Sequence, residues 1–310
     1  MRWTTYLSPT DGRTHPAVLS DGQLHGLPTA TRLIDLLGDD GELLARAAEQ
    51  ATADPLDVIA EADAVLLAPI PTPPSVRDFY AYETHVKTYR EANGQGMDPD
   101  WYELPVFYFQ NPAAIRPARA EVPMPPGSVK FDYELEFAAV IGRPGANLTP
   151  EEASRHIAGY MLLCDWSARD LQARESRHGM GPVKGKDTAT SLGPWLVTPD
   201  ELAPRPRGKA FDLEMRALVN GRTYSKGNAG DLYWSFGQMI SYASRGTRVQ
   251  TGDVIGSGTV GTGCILELST VHSEEEYPWL KPGDEVTLEA DLLGAITARI
   301  TEAQPVHPLR

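Results

Sequence analysis

Phe131-Asp132-Tyr133-Glu134-Leu135-Glu136-Phe137-Ala138-Ala139-Val140 is the stretch on which the fold turns. The two-residue period of a strand puts Tyr133, Leu135 and Phe137 on one face, and Glu134 with Glu136 on the other. The acidic face then runs on into Ala138 and Val140, so a strand over 130–142 ending at Gly142 is predicted. A solvated sheet edge explains such a Glu-x-Glu pair. A partly buried site is the alternative, suggested by the pair leading into apolar positions between phenylalanines. In such a site two carboxylates repel and resist desolvation unless a cation joins them.

Working outward, Gly159-Tyr160-Met161-Leu162-Leu163-Cys164 is an uncharged run that reads as a buried strand over 157–165 and stops at Asp165. A helix is predicted next, from Ser167 to Arg177, and Asp165 either caps it or faces the same site as the glutamates. Asp78, in Val76-Arg77-Asp78-Phe79-Tyr80, is open to the same two readings at the start of a short helix predicted over 78–92. Together Asp78, Glu134, Glu136 and Asp165, without a Cys or His cluster, imply one hard, oxygen-liganded divalent cation (Mg²⁺, Mn²⁺ or Ca²⁺) rather than zinc. His85 lies seven residues after Asp78, within about 20° of two full helical turns, so one helix holding both turns a base toward the metal. The alternative is an ordinary satisfied histidine, which is also the reading for His15, His25, His156, His178, His272 and His307. Glu267 interrupts Gly263-Cys264-Ile265-Leu266-Glu267-Leu268, read as a strand, where an inward-pointing acid needs a partner. Lys186, in Gly185-Lys186-Asp187, is by itself an ordinary surface lysine.

The whole chain has 310 residues, room for about two domains. With 28 Lys+Arg against 42 Asp+Glu the net charge is −14, which argues against nucleic acid and anionic membrane surfaces as partners. Cys164 and Cys264, the only cysteines, both lie in apolar runs, so neither a disulfide framework nor a Cys-rich zinc site is available. No apolar leader and no uncharged stretch of about 18 residues occurs, and a cytoplasmic address is expected. The 28 glycines and 26 prolines punctuate the chain into short elements and favour β-rich architecture. Strands near 3–7, 15–20 and 22–27 and a helix over 31–50 lead to a cluster of Pro69, Pro71, Pro73 and Pro74. That joint divides a small β-rich N-terminal domain, 1–70, from a catalytic domain, 71–310. Asn220-Gly221 signals a type I′ hairpin, and Thr251-Gly252-Asp253 and Pro282-Gly283-Asp284 signal turns between strands. Gly256-Ser257-Gly258-Thr259-Val260-Gly261 satisfies a G-x-G-x-x-G pattern, but a strand rather than a helix is expected after it, so no nucleotide cofactor is predicted.

Glu134-Leu135-Glu136, Asp165-Trp166-Ser167-Ala168-Arg169-Asp170-Leu171-Gln172, Gly185-Lys186 and Gly256-Ser257-Gly258-Thr259 resemble, in order, the signature segments of the fumarylacetoacetate hydrolase family. The resemblance runs from about Asp78 to about Ile300. It implies an α+β, β-rich fold with a mixed β-roll catalytic domain, usually homodimeric. It also implies a divalent cation held by Glu134, Glu136 and Asp165, with Asp78 as fourth ligand. By the same resemblance His85 is the base and Glu267 the acid that orients it, while Arg169, Gln172 and Lys186 surround a developing oxyanion. Tyr80, Arg90, Tyr108 and Thr259 match substrate contacts, and Ser176 stands where the comparison places a substrate-contacting tyrosine. The implied activity is metal-dependent hydrolysis of a carbon–carbon bond in a small anionic 1,3-diketo acid of the fumarylacetoacetate or acylpyruvate type. Decarboxylation, hydration or isomerisation of a related 2-oxo acid is the alternative. A non-catalytic metal-dependent binding protein is a remoter one.

Overall fold

Leu135–Ile141 and Ile157–Asp165 pair antiparallel, with Leu135 opposite Cys164 and Glu136 opposite Leu163. Every residue from Leu135 to Ile141 is buried, because each face of this central pair carries its own core layer. On one face Leu135, Phe137, Leu162 and Cys164 meet Met215, Ala217, Leu288 and Ile296 of a second, five-stranded sheet. On the other, Ala138, Val140, Met161 and Leu163 pack with Trp3, Val18, Leu44 and Ala47 of the N-terminal segment. Strands covered on both sides read as continuous apolar runs, which is why 159–164 carries no charge. Truncation of a side chain as enclosed as Phe137 costs about 3–5 kcal/mol.

The structure, a computed structural model, describes residues 1–29, 31–92 and 94–310. The first sheet runs, neighbour to neighbour, Val58–Ala60, Gln23–Gly26, Thr14–Ser20, Arg2–Leu7, Leu196–Val197, Ile157–Asp165, Leu135–Ile141, Val254–Gly256, Val76–Phe79 and Phe107–Gln110, with further short strands beside this path. It is mixed, since Val254–Gly256 and Val76–Phe79 are parallel while the central pair is antiparallel. The fold is thus α+β and β-rich, with an N-terminal β region whose strand Arg2–Leu7 joins the same sheet through Leu196–Val197. Asn220 and Gly221, at φ 52° and 78°, form the predicted hairpin turn between Glu214–Val219 and Arg222–Asn228.

Three local expectations are corrected. The helix over 31–50 is split into a short 3₁₀ turn, Leu33–Leu36, and the α-helix Glu42–Ala53, because Gly38 and Gly41 adopt positive φ between them. Asp78 is not helical: it lies in the strand Val76–Phe79, and the helix that carries His85 is Glu83–Ala92. Pairing on both sides, with Val254–Gly256 and with Phe107–Gln110, overrides the local helical reading. Glu267 lies in a helix, Ile265–Val271, not a strand. Cys264, Ile265 and Leu268 are buried at i, i+1 and i+4, a helical stripe that the short run concealed.

Candidate active site

The site grows out of one face of the sheet. Val76, Ala138, Val140, Met161 and Leu163 belong to the same core layer. Two residues further along each strand, on that same face, stand Asp78, Glu136 followed by Glu134, and Asp165. Apolar packing therefore gives way to acid where the layer ends. One oxygen from each of Asp78, Glu134, Glu136 and Asp165 lies within 4.8 Å of the others, and all four residues are buried. Gly256, paired with Asp78, permits this approach, since a Cβ there would stand 2.4 Å from Asp78 Oδ1. The Gly258 amide donates to Asp78 at 3.2 Å and to Glu136 at 3.1 Å.

Lys186, far from an ordinary surface lysine, is buried between Glu134 and Asp165, with Nζ 2.5 Å from Asp165 Oδ2. Arg169 reaches Glu134 at 2.7 Å and Asp132 at 2.8 Å. Even so, among the described residues five buried carboxylates (Asp78, Asp132, Glu134, Glu136, Asp165) face two buried cations, Arg169 and Lys186. Burial opposes ionisation of the whole group, but Arg169 and Lys186 hold Glu134 well below the usual carboxylate range. Burial pushes Asp78, Glu136 and Asp165 up, and neighbouring carboxylates add to the shift. Asp165 Oδ1 is buried with no hydrogen-bond partner. An all-oxygen donor set with excess negative charge and an orphaned oxygen fits a hard divalent cation. Neither Asp78 nor Asp165 caps a helix: Tyr108 Oη donates to Asp165 and, at 3.1 Å, to Asp78.

His85 Nδ1 lies 2.7 Å from Glu267 Oε2, both side chains being buried. The Glu267 helix is anchored by Asp132, whose carboxylate accepts from the amides of Ile265 at 2.7 Å and Leu266 at 3.0 Å. A cavity of about 540 Å³ is lined by Asp78, Tyr80, His85, Tyr108, Glu134, Glu136, Arg169, Gln172, Ser176, Lys186 and Thr259, among others. Asp165 and Glu267 stand behind these residues, holding Lys186 and His85. Arg90 is the exception among the expected contacts. It does not line the cavity; its Nε donates to the Gly96 carbonyl at 2.6 Å, at the far end of the His85 helix.

Sequence reasoning passed over Asp132, although its place at alternate spacing with Glu134 and Glu136 was a usable signal. It also passed over Gln110, which donates to Asp78 at 3.2 Å and accepts from Thr190 at 2.8 Å. Nothing local marks Gln110. The Gly256–Gly261 turn is followed by a helix after all, so that reason for setting it aside fails. Its central amide, however, faces carboxylates, where a phosphate would be repelled. His15 and His156 are satisfied structurally, by Asp11 and by the Arg143 carbonyl, each at 2.9 Å.

A buried carboxylate cluster suited to a divalent cation, sharing a cavity with a His–Glu pair, defines a class of metal-dependent enzyme. The chain belongs to the fumarylacetoacetate hydrolase family, matching "Fumarylacetoacetate (FAA) hydrolase C-terminal" over residues 75–301. It is 30% identical over 249 residues to the fumarylacetoacetase of Oryza sativa, covering 63% of this chain but only 57% of that protein. It is 30% identical over 275 residues to a human mitochondrial oxaloacetate tautomerase, covering 88% of this chain and 81% of that one. The fumarylacetoacetate hydrolase structure from Exiguobacterium antarcticum superposes with a TM-score of 0.77 at 25% identity, over 98% of this chain and 100% of that one. Family members thus include both hydrolases and tautomerases. Among the described residues no helix is long and apolar enough to cross a membrane.

Proposed function

We propose that the protein hydrolyses a carbon–carbon bond in a small anionic 1,3-diketo acid, with Asp78, Glu134, Glu136 and Asp165 holding one divalent cation. The observation that carries this reading is the His85–Glu267 contact at 2.7 Å in the wall of the cavity. With Nδ1–H donated to Glu267, the imidazole keeps its lone pair on Nε2 and serves as a base. The cation, when bound, supplies Lewis acidity toward the oxygens of the oxo acid. His85 takes a proton from water, whose oxygen bonds to the carbonyl carbon. The carbon–carbon bond breaks, and its electron pair, left on the departing carbon, takes up a proton. An acid and a 2-oxo acid leave. Gln172, its Oε1 occupied by Arg169 at 3.2 Å, has its amide N–H groups left for the developing oxyanion, and Lys186 adds positive charge there.

A second reading is tautomerisation or isomerisation of a related 2-oxo acid. It is favoured by the 88% coverage of this chain in the match to the human tautomerase, and the same His–Glu pair can relay a proton between substrate atoms. Incubation of acylpyruvates, fumarylacetoacetate and oxaloacetate with Mg²⁺ or Mn²⁺ in H₂¹⁸O and in D₂O separates the two. Hydrolysis places ¹⁸O in the released acid. Deuterium exchange next to the keto group without any cleavage, across the whole panel, would overturn the first reading in favour of the second.

A further inference from the structure

The lining of the cavity is divided by depth. Its acidic and basic members, Asp78, His85, Glu134, Glu136, Arg169 and Lys186, are all buried. The partly or fully exposed part of the wall is uncharged, and Tyr89, Val106, Phe107, Ala173, Pro182 and Leu266 make most of it. Ser176 adds a small side chain whose Oγ is turned back to the Gln172 carbonyl at 2.8 Å. Among the described residues the two permanent cations of the lining are already engaged. Arg169 is bound to Asp132, Glu134 and Gln172, and Lys186 to Glu134 and Asp165. Arg90, an expected substrate contact, does not line the cavity and is turned to Gly96.

Resting on the hydrolytic reading above, we infer that the acyl end of the substrate is neutral and apolar, an alkyl or aryl group, and not a second carboxylate. The oxo-acid end occupies the charged floor. The acyl group lies along the uncharged wall, where each methylene removed from water contributes about 0.8 kcal/mol, close to fourfold in kcat/KM. A terminal carboxylate there loses hydration without gaining a cationic partner.

The test compares neutral acylpyruvates of increasing alkyl length, and a phenyl member, with carboxylate-terminated analogues of equal length, following pyruvate release with Mn²⁺ present. Neutral members are expected to exceed their carboxylate counterparts by at least about tenfold in kcat/KM. Val106→Arg, at a position 46% exposed, should narrow that gap by about two- to fivefold, the strength of an exposed ion pair. Equal or better turnover of the carboxylate-terminated series overturns the inference and leaves hydrolysis standing. Failure to cleave any member overturns hydrolysis instead. Calorimetric binding of the same pairs then decides the apolar wall on its own, tighter binding of the neutral partner supporting it and the reverse order overturning it.

Discussion

His85 and Glu267 meet at 2.7 Å from positions 182 residues apart, each on its own short helix and each buried. A carboxylate at that distance fixes which imidazole nitrogen carries the proton, the arrangement the proposed base requires. His85→Ala should lower kcat by about 10²–10⁴-fold, the usual range for loss of a general base. Glu267→Gln should act in the same direction, while calorimetry shows Mn²⁺ binding retained in both. Near-normal turnover of His85→Ala would remove water activation by this pair.

Loss of one carboxylate from the cluster should be felt first at the metal. Glu136→Ala is expected to weaken Mn²⁺ binding and abolish metal-dependent turnover, because one of four oxygen donors disappears. Exhaustive chelation of the unaltered protein should do the same, with activity restored by added Mg²⁺ or Mn²⁺. Full activity after chelation contradicts the metal assignment.

Asp132 joins the two halves of the cavity, bound to Arg169 on one side and to the first turn of the Glu267 helix on the other. Asp132→Ala strands a buried guanidinium and two amides, and should destabilise the fold by about 3–5 kcal/mol in urea titration. Asp132→Asn, which keeps one acceptor, should cost less. A loss below ~1 kcal/mol for the alanine variant, within the range of a single ordinary hydrogen bond, would show that the contacts are not coupled.

Asp57 provides a pH-dependent test away from the cavity. Burial alone would raise its pKa, but hydroxyls of Ser8, Thr10 and Tyr6, at 2.5, 2.6 and 2.6 Å, bring it below the ordinary value. A carboxylate depressed in the folded state contributes stability above its unfolded pKa, about 3.9, and loses it as pH falls through the folded value. The Tm difference between the natural protein and Asp57→Asn should therefore be largest at neutral pH and shrink below about pH 4. A difference that stays constant down to pH 2 would mean that the charge contributes nothing.

The sequence by itself determined most of the acidic residues that gather in the candidate site and the strands that carry them. Glu134, Glu136 and Asp165 were legible because a strand's two-residue period and an uncharged run are local properties, expressed in consecutive side chains. The hairpin at Asn220-Gly221 was legible for the same reason. Only the tertiary structure decided that Asp78 is in a strand, that Glu267 is on a helix and that Arg90 turns away to Gly96. It alone decided that Asp132 and Gln110 belong to the site. Each of these outcomes depends on a partner distant in the chain: Val254–Gly256 beside Asp78, the Asp132 carboxylate under the amides of Ile265 and Leu266, Thr190 across from Gln110. Local pattern records which face a side chain shares with its neighbours. Which remote group saturates a buried amide or carboxylate is settled only when the sheet closes and water is expelled, since an unpaired polar group becomes costly at that point and not before.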